Sequence, residues 1–302
     1  MNNITNEIRS FLFKDSNING RAVRLSSLFD ELIIDRNFPE IVKSKLLELL
    51  VLSSLISSTL KFEGDMTIQI QGTGPLNMLV VNGTNNYEYR ASARYITDED
   101  VNDQNPISID QITNKSSLHE IFGSDALLVI SVLPKDGRRY QSFVQLDNIS
   151  LTSSVENYYK TSEQIDTKFI IKTSFEGRYA FGIMIQAMPR TFEHLVDIDL
   201  EELYILSETI KEDEILTLDI QTILYRLFNE HDFYLYESNK LKSYCTCSRE
   251  KSLNTLNLFP YEELLEILEE SNGDISMTCE YCDKKYSFSL DDINTLKNII
   301  TN

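Results

Sequence analysis

All four cysteines of the 302-residue chain fall within its last sixty positions, as C-x-C in "YCTCSREK" (244–251) and C-x-x-C in "MTCEYCDKK" (277–285). Two tight turns of this kind can deliver four thiolates to one tetrahedral zinc, with each Zn–S bond at about 2.3 Å. The 31 residues between Cys247 and Cys279 leave room for a short helix, and "YEELLEILEES" (261–271) has the pattern of one. All three histidines, His119, His194 and His231, lie upstream, so the expected ligands are Cys245, Cys247, Cys279 and Cys282. On spacing alone, the plainer reading is a zinc ribbon that only staples a domain too small for its own core. A thioredoxin-like dithiol at Cys279 and Cys282 is a rival, but no surrounding βαβ pattern supports it.

With 42% apolar and 25% charged residues, the chain has the composition of an ordinary folded protein. Its formal charge of −19 argues against nucleic acid as a partner, because phosphate backbones are bound by concentrated Lys and Arg. The first residues, "MNNITNEIRSFLFKD", lack the apolar core and cleavage site of a signal peptide. "LLELLVLSSLI" (46–56) is too short to span a bilayer and reads as a buried helix. The expected location is the cytoplasm, where clustered cysteines more often hold metal or do redox work than form structural disulfides.

The pattern from 1 to 188 predicts an α+β domain. A helix is expected over 39–62. "MTIQIQG" (66–72) alternates strictly, with Met66, Ile68 and Ile70 on one face, and predicts a half-buried strand. Further strands are expected at 76–83, 87–93, 127–133, 139–146, 167–175 and 179–188, and a capped helix at 150–164. Several strands follow one another with few helices between them, which favours a mixed sheet over regular βαβ alternation. "GTGPLN" (72–77) has neither the third glycine of a dinucleotide fingerprint nor the Lys-Ser/Thr of a P-loop, and a strand-to-strand turn accounts for it.

Residues 189–243 read as a helical linker region. From 191 to 243 there are thirteen acids against four bases, and helices are expected at 197–211 and 217–232. In the second, Ile220, Ile223, Leu224, Leu227 and Phe228 share one face, so the helix needs a partner to cover its stripe. The plain expectation is a helical hairpin packed on the first domain. Residues 244–302 form the small C-terminal four-cysteine domain.

These residues resemble the heat shock protein 33 family of redox-regulated holdase chaperones. The likeness runs through "YRLFNE", "CTCSREK", "EELLEILEE" and "MTCEYCDKKYSFS". It continues upstream in "NGRAVRL" (19–25), "SSTLKFEG" (57–64), "IQIQGTGPLNMLVV" (68–81), "RASAR" (90–94), "LHEIFG" (118–123) and "YYKTSEQIDT" (158–167). Thr73 stands where the family usually has an acid, Ser124 and Asp125 replace a Lys-Gly turn, and "LFP" (258–260) lacks an expected glycine; none of these touches a cysteine. The resemblance implies an ATP-independent chaperone and not an enzyme. One zinc per chain would sit on the four thiolates. Oxidation would pair Cys245 with Cys247 and Cys279 with Cys282, release the metal and unfold the C-terminal domain. Such small loops restrain an unfolded chain little, so the oxidised domain would stay open. The linker, with Leu224, Leu227 and Phe228 on its stripe, would then offer apolar surface to unfolding client proteins. The resemblance leaves a homodimer of the oxidised form open, and it implies neither a membrane nor a nucleic-acid partner.

Overall fold

The computed structural model describes residues 6–60, 63–103, 105–174, 178–189, 198–271 and 273–300, and divides into two compact units, Met1–Ser243 and Tyr244–Asn302. His194, and residues 190–197 of the expected linker, lie outside the described residues.

The first unit is built on two six-stranded sheets. One contains β1 (Glu7–Phe13), β2 (Ile18–Leu25), β8 (Asp166–Ser174) and β9 (Tyr179–Ala187), in the order β1-β2-β9-β8 and antiparallel throughout. The short strands β10 (Phe233–Leu235) and β11 (Asn239–Lys240) both pair with the free edge of β1. The other sheet runs β12-β5-β4-β3-β6-β7. Its members are β3 (Gly64–Gln71), β4 (Met78–Thr84), β5 (Glu88–Arg94), β6 (Leu127–Pro134), β7 (Tyr140–Gln145) and β12 (Lys242–Ser243). β12 alone is parallel to its neighbour.

A helical turn, α1 (Ser27–Phe29), leads through a π turn at Asp30–Ile34 to α2 (Glu40–Ser57), which packs on strands of both sheets. A helix covered by sheets on two sides must be apolar nearly all round. Accordingly Val42, Leu46, Leu49, Leu50, Val51, Leu52 and Leu55 are all fully buried. Its serines are accommodated by local bonds: Ser54 Oγ donates to the Leu50 carbonyl at 2.8 Å, and Ser57 Oγ lies 2.7 Å from the buried Tyr89 hydroxyl. Gly182 of β9 permits the close approach. A Cβ there would sit 2.5 Å from Val51 Cγ1 and 3.1 Å from Leu55 Cδ1.

The strand expected at 66–72 has the predicted alternation, with Met66, Ile68 and Ile70 buried. The helix expected at 150–164 is α4 (Leu151–Tyr158), capped by Ser150 and finished by a π turn through Glu163. The "GTGP" turn joins β3 to β4 and packs on α3 (Leu118–Phe122), with Gly74 N–H donating to the Phe122 carbonyl at 2.8 Å. Here Asp125 supplies the carboxylate: its Oδ1 accepts from Thr73 Oγ1 at 2.7 Å and from Thr73 N at 3.3 Å. The positive-φ residue of the facing turn is Gly123 (φ 93°).

The pattern of 1–188 had suggested no strand before residue 66, yet β1 and β2 form the centre of a sheet buried on both faces. Phe11, Phe13, Ile18 and Ala22 point to one side, and Ile8, Val23 and Leu25 point to α2. The outer side is covered by α5 (Leu200–Glu208), α6 (Glu212–Thr217) and α7 (Ile220–Leu227), so the linker helices pack into the first unit. The helix expected at 197–211 is shorter because Asp199 caps its start and the chain turns at Ile210. Lys211 N then bonds Glu214 Oε2 at 2.9 Å to open α6.

The second unit carries α8 (Arg249–Thr255), α9 (Tyr261–Glu270), the hairpin of β13 (Asp274–Thr278) and β14 (Lys285–Ser289), and α10 (Leu290–Ile300). Its core among the described residues is Leu256, Leu264, Leu268, Ile275, Tyr286, Phe288, Ile293 and Leu296. Eight apolar side chains are few for a domain of about sixty residues, and domains of that size usually need a staple.

Candidate metal centre

Both cysteine pairs sit on loops fixed by secondary structure. Cys245 and Cys247 lie between β12 and α8, whose start is capped by Ser248 Oγ accepting from Lys251 N at 3.1 Å. Lys251 Nζ reaches back to the Thr246 carbonyl at 2.8 Å and closes the C-x-C loop. Cys279 and Cys282 lie in the turn joining β13 to β14. There Cys279 N bonds the Lys284 carbonyl and Asp283 N bonds the Cys279 carbonyl, both at 3.0 Å. Asp283 takes the left-handed conformation this turn needs (φ 55°), which Asp and Asn tolerate better than most residues.

The four Sγ atoms lie within 4.8 Å of one another, the one such metal-binding group among the described residues. Cys245 Sγ is 3.7 Å from Cys279 Sγ, and Cys247 Sγ is 3.5 Å from Cys282 Sγ. Sulfurs placed tetrahedrally about a zinc at about 2.3 Å stand roughly 3.8 Å apart, so the donor set fits that ion in number, softness and spacing. Arg249 braces the site's frame, donating to Asp292 Oδ2 at 2.7 Å and to the Ser287 carbonyl at 3.2 Å.

Sequence reasoning did not single out Tyr286. Its hydroxyl donates to Cys247 Sγ at 3.2 Å and holds that thiol down at about 7. Burial pushes the Cys245 thiol the other way. The legible signal was positional: Tyr286 and Phe288 alternate on the strand that leaves the second cysteine turn.

The remaining candidates belong to the first unit. Leu224, Leu227 and Phe228 are brought together on the buried face of α7 and its end, at 0%, 2% and 0% exposure. Phe228 packs against Phe13 and Phe11, with ring centroids at 5.3 and 5.8 Å. His231 stands edge-on to Phe13 and His119 is half-buried near the start of α3, both in the first unit.

The family model described as Hsp33 protein matches residues 6–289. The chain belongs to the Hsp33 family. It is 36% identical over 294 residues to the 33 kDa chaperonin of Proteus mirabilis, covering 96% of this chain and 95% of that one. To the 33 kDa chaperonin of Mannheimia succiniciproducens it is 38% identical over 290 residues, covering 95% and 92%. The crystal structure of the Hsp33 homologue from Thermotoga maritima superimposes with a TM-score of 0.77 at 20% identity, covering 98% of this chain and all of that one. Membership in Hsp33 places the chain among chaperones, with an α+β fold and a C-terminal cysteine cluster able to hold a metal ion. Among the described residues no helix is long and apolar enough to cross a membrane.

Proposed function

We propose that the chain is a redox-switched, ATP-independent holdase of the cytoplasm that binds unfolding proteins under oxidative stress and turns over no substrate. The observation that carries this reading is four free cysteine sulfurs at zinc-like spacing in a chaperone family. Bound zinc would supply the folding energy that the small core of the second unit lacks, on the order of 10–16 kcal/mol in small peptides.

In reducing conditions Cys245, Cys247, Cys279 and Cys282 act as thiolate ligands. Hydrogen peroxide oxidises two thiolates to one disulfide and is itself reduced to two hydroxide ions, so two equivalents convert all four. We assign the disulfides to Cys245–Cys247 and Cys279–Cys282. These loops are too small to hold Cys247 and Cys279 together across their 31-residue gap, so the unit unfolds once the ligand set is gone. The stripe of Leu224, Leu227 and Phe228 is then the latent client surface, covered in the folded chain and offered when the α5–α7 layer opens. The excess of acids keeps a loaded complex soluble.

The test measures zinc release and suppression of client aggregation on the same sample, before and after peroxide and without nucleotide. Both should rise together, at near-stoichiometric ratio to client. Suppression that is equal before oxidation would point to a constitutive zinc-ribbon module. Catalytic turnover of disulfide substrates would point to an oxidoreductase.

A further inference from the structure

Among the four sulfurs, only Cys247 is given a tyrosine hydroxyl donor in the described structure, Tyr286 at 3.2 Å. The donor is built in. Tyr286 is 7% exposed in the core of the second unit, and its position on β14 is fixed by pairing with Met277 of β13. Lys284 Nζ stands 5.4 Å from the ring centroid. A cation over a phenol ring draws electron density from it and makes the hydroxyl a better donor.

We propose that Tyr286 is a brake on the redox switch: its hydrogen bond occupies a lone pair of the Cys247 sulfur and lowers that sulfur's reactivity toward peroxide. The inference rests on the metal-bound, oxidant-sensed reading above. The step affected is attack of a Cys247 thiolate lone pair on one peroxide oxygen. The S–O bond forms, the O–O bond breaks, and hydroxide leaves with the electron pair. The sulfur of the resulting sulfenic acid is then attacked by a second cysteine thiolate, which forms the S–S bond, breaks the S–OH bond and expels a second hydroxide. A sulfur whose electron density is shared with an O–H donor is the weaker nucleophile in the first of these steps. Cys247 is thereby held back relative to Cys282, the most exposed of the four.

The same bond predicts opposite effects on two measurable rates. Removing the donor leaves Cys247 a more electron-rich ligand, which holds a metal at least as firmly while reacting faster with oxidant. Simple loosening of the fold would instead speed both processes. Tyr286→Phe retains the ring and its packing. In full-length, zinc-loaded protein it should raise the rate of peroxide-driven zinc release and of Cys247 modification, read by mass spectrometry, on the order of five- to tenfold. Zinc transfer to a competing chelator without oxidant should be unchanged or slower. Faster loss in both assays would overturn the proposal in favour of a packing role, and an unchanged peroxide rate would overturn it outright. If wild-type protein binds zinc but does not lose it to peroxide, the switch reading fails instead. Should Tyr286→Phe not fold, a fluorinated tyrosine incorporated at 286 keeps the test: its stronger donor should slow peroxide-driven release, and no slowing would overturn the proposal.

Discussion

Leu227→Glu tests whether the α5–α7 layer is the part of the first unit nearest to opening. Leu227 is 2% exposed and packs with Ile223, Leu224 and Phe228 against the outer face of the first sheet. Removing its burial forfeits about 2–3 kcal/mol. The introduced carboxyl must also stay neutral in an apolar site, and buried Glu groups reach pKa values near 8–9. Holding it protonated at pH 7 from an unfolded value of about 4.3 costs about 3.7 kcal/mol, at 1.36 kcal/mol per pH unit. The sum, about 6 kcal/mol, rivals the whole stability of a typical domain. Opening one layer requires less than unfolding the two sheets, so the layer should open first.

The pH dependence has a definite sign. A carboxyl with its folded pKa raised penalises the fold fully above that pKa, and the penalty vanishes below the unfolded value. Lowering the pH from 7 to 5 should therefore return about 2.7 kcal/mol and partly close the layer. The assay is limited proteolysis and amide exchange over 198–243 at both pH values, with aggregation suppression in excess dithiothreitol at pH 7. The variant should open at pH 7, hold client while still reduced, and recover protection at pH 5. A layer that opens in reduced protein without holding client would refute the assignment of the client surface. Unchanged protection would refute the burial argument itself.

Cys279→Ser should lower zinc content well below one per chain by elemental analysis. It should also collapse exchange protection in the second unit and weaken it in the α5–α7 layer, while the strands of the two large sheets stay protected. Gly182→Val should destabilise the first unit by about 1–3 kcal/mol in denaturant melts, because a Cβ there meets Val51 at 2.5 Å, with zinc content unaffected. In the second unit Asp292 is held below the usual carboxylate range by Arg249 and by the Ser289 N–H it accepts from at 2.9 Å. That contribution is present above the unfolded pKa and lost as pH falls through the folded one. Asp292→Ala should therefore cost about 1 kcal/mol at pH 7, read by thermal melts of zinc-loaded protein.

How legible a segment was depended on whether one of its faces meets water. β3 was readable because Thr67, Gln69 and Gln71 alternate with buried Met66, Ile68 and Ile70. β1 and β2 were not, because both faces are covered and arginines lie along them. Arg24 is 5% exposed and donates to the Leu218 carbonyl, a partner almost two hundred positions away that no local pattern announces. α7 was legible as a stripe with no visible partner; only the fold shows that Phe11 and Phe13 lie beneath it. At the candidate metal centre the four clustered cysteines could be named from spacing, whereas Tyr286 could not, since a strand tyrosine gives no sign of which sulfur it will meet.

The charge on the α5–α7 layer acts differently from what its net excess suggests. Glu201, Glu202, Glu212, Asp213 and Glu214 stand in the first turns of α5 and α6, where acids stabilise the helix dipole. Glu214 also pairs with Arg226 of α7 at 2.5 Å, and Lys168 of β8 with Glu201 at 2.8 Å. Local placement thus offsets much of the self-repulsion that a count of thirteen acids against four bases would imply. What leaves the layer weak is length. Its helices have nine, six and eight residues, and helices so short are marginal in water without packing. Their cohesion therefore lies in the apolar stripe pressed on β1, β2 and β9. Once that stripe is uncovered, the first-turn acids lose their helices, their mutual repulsion returns, and an extended, soluble, apolar-flecked segment is the form this stretch of sequence favours.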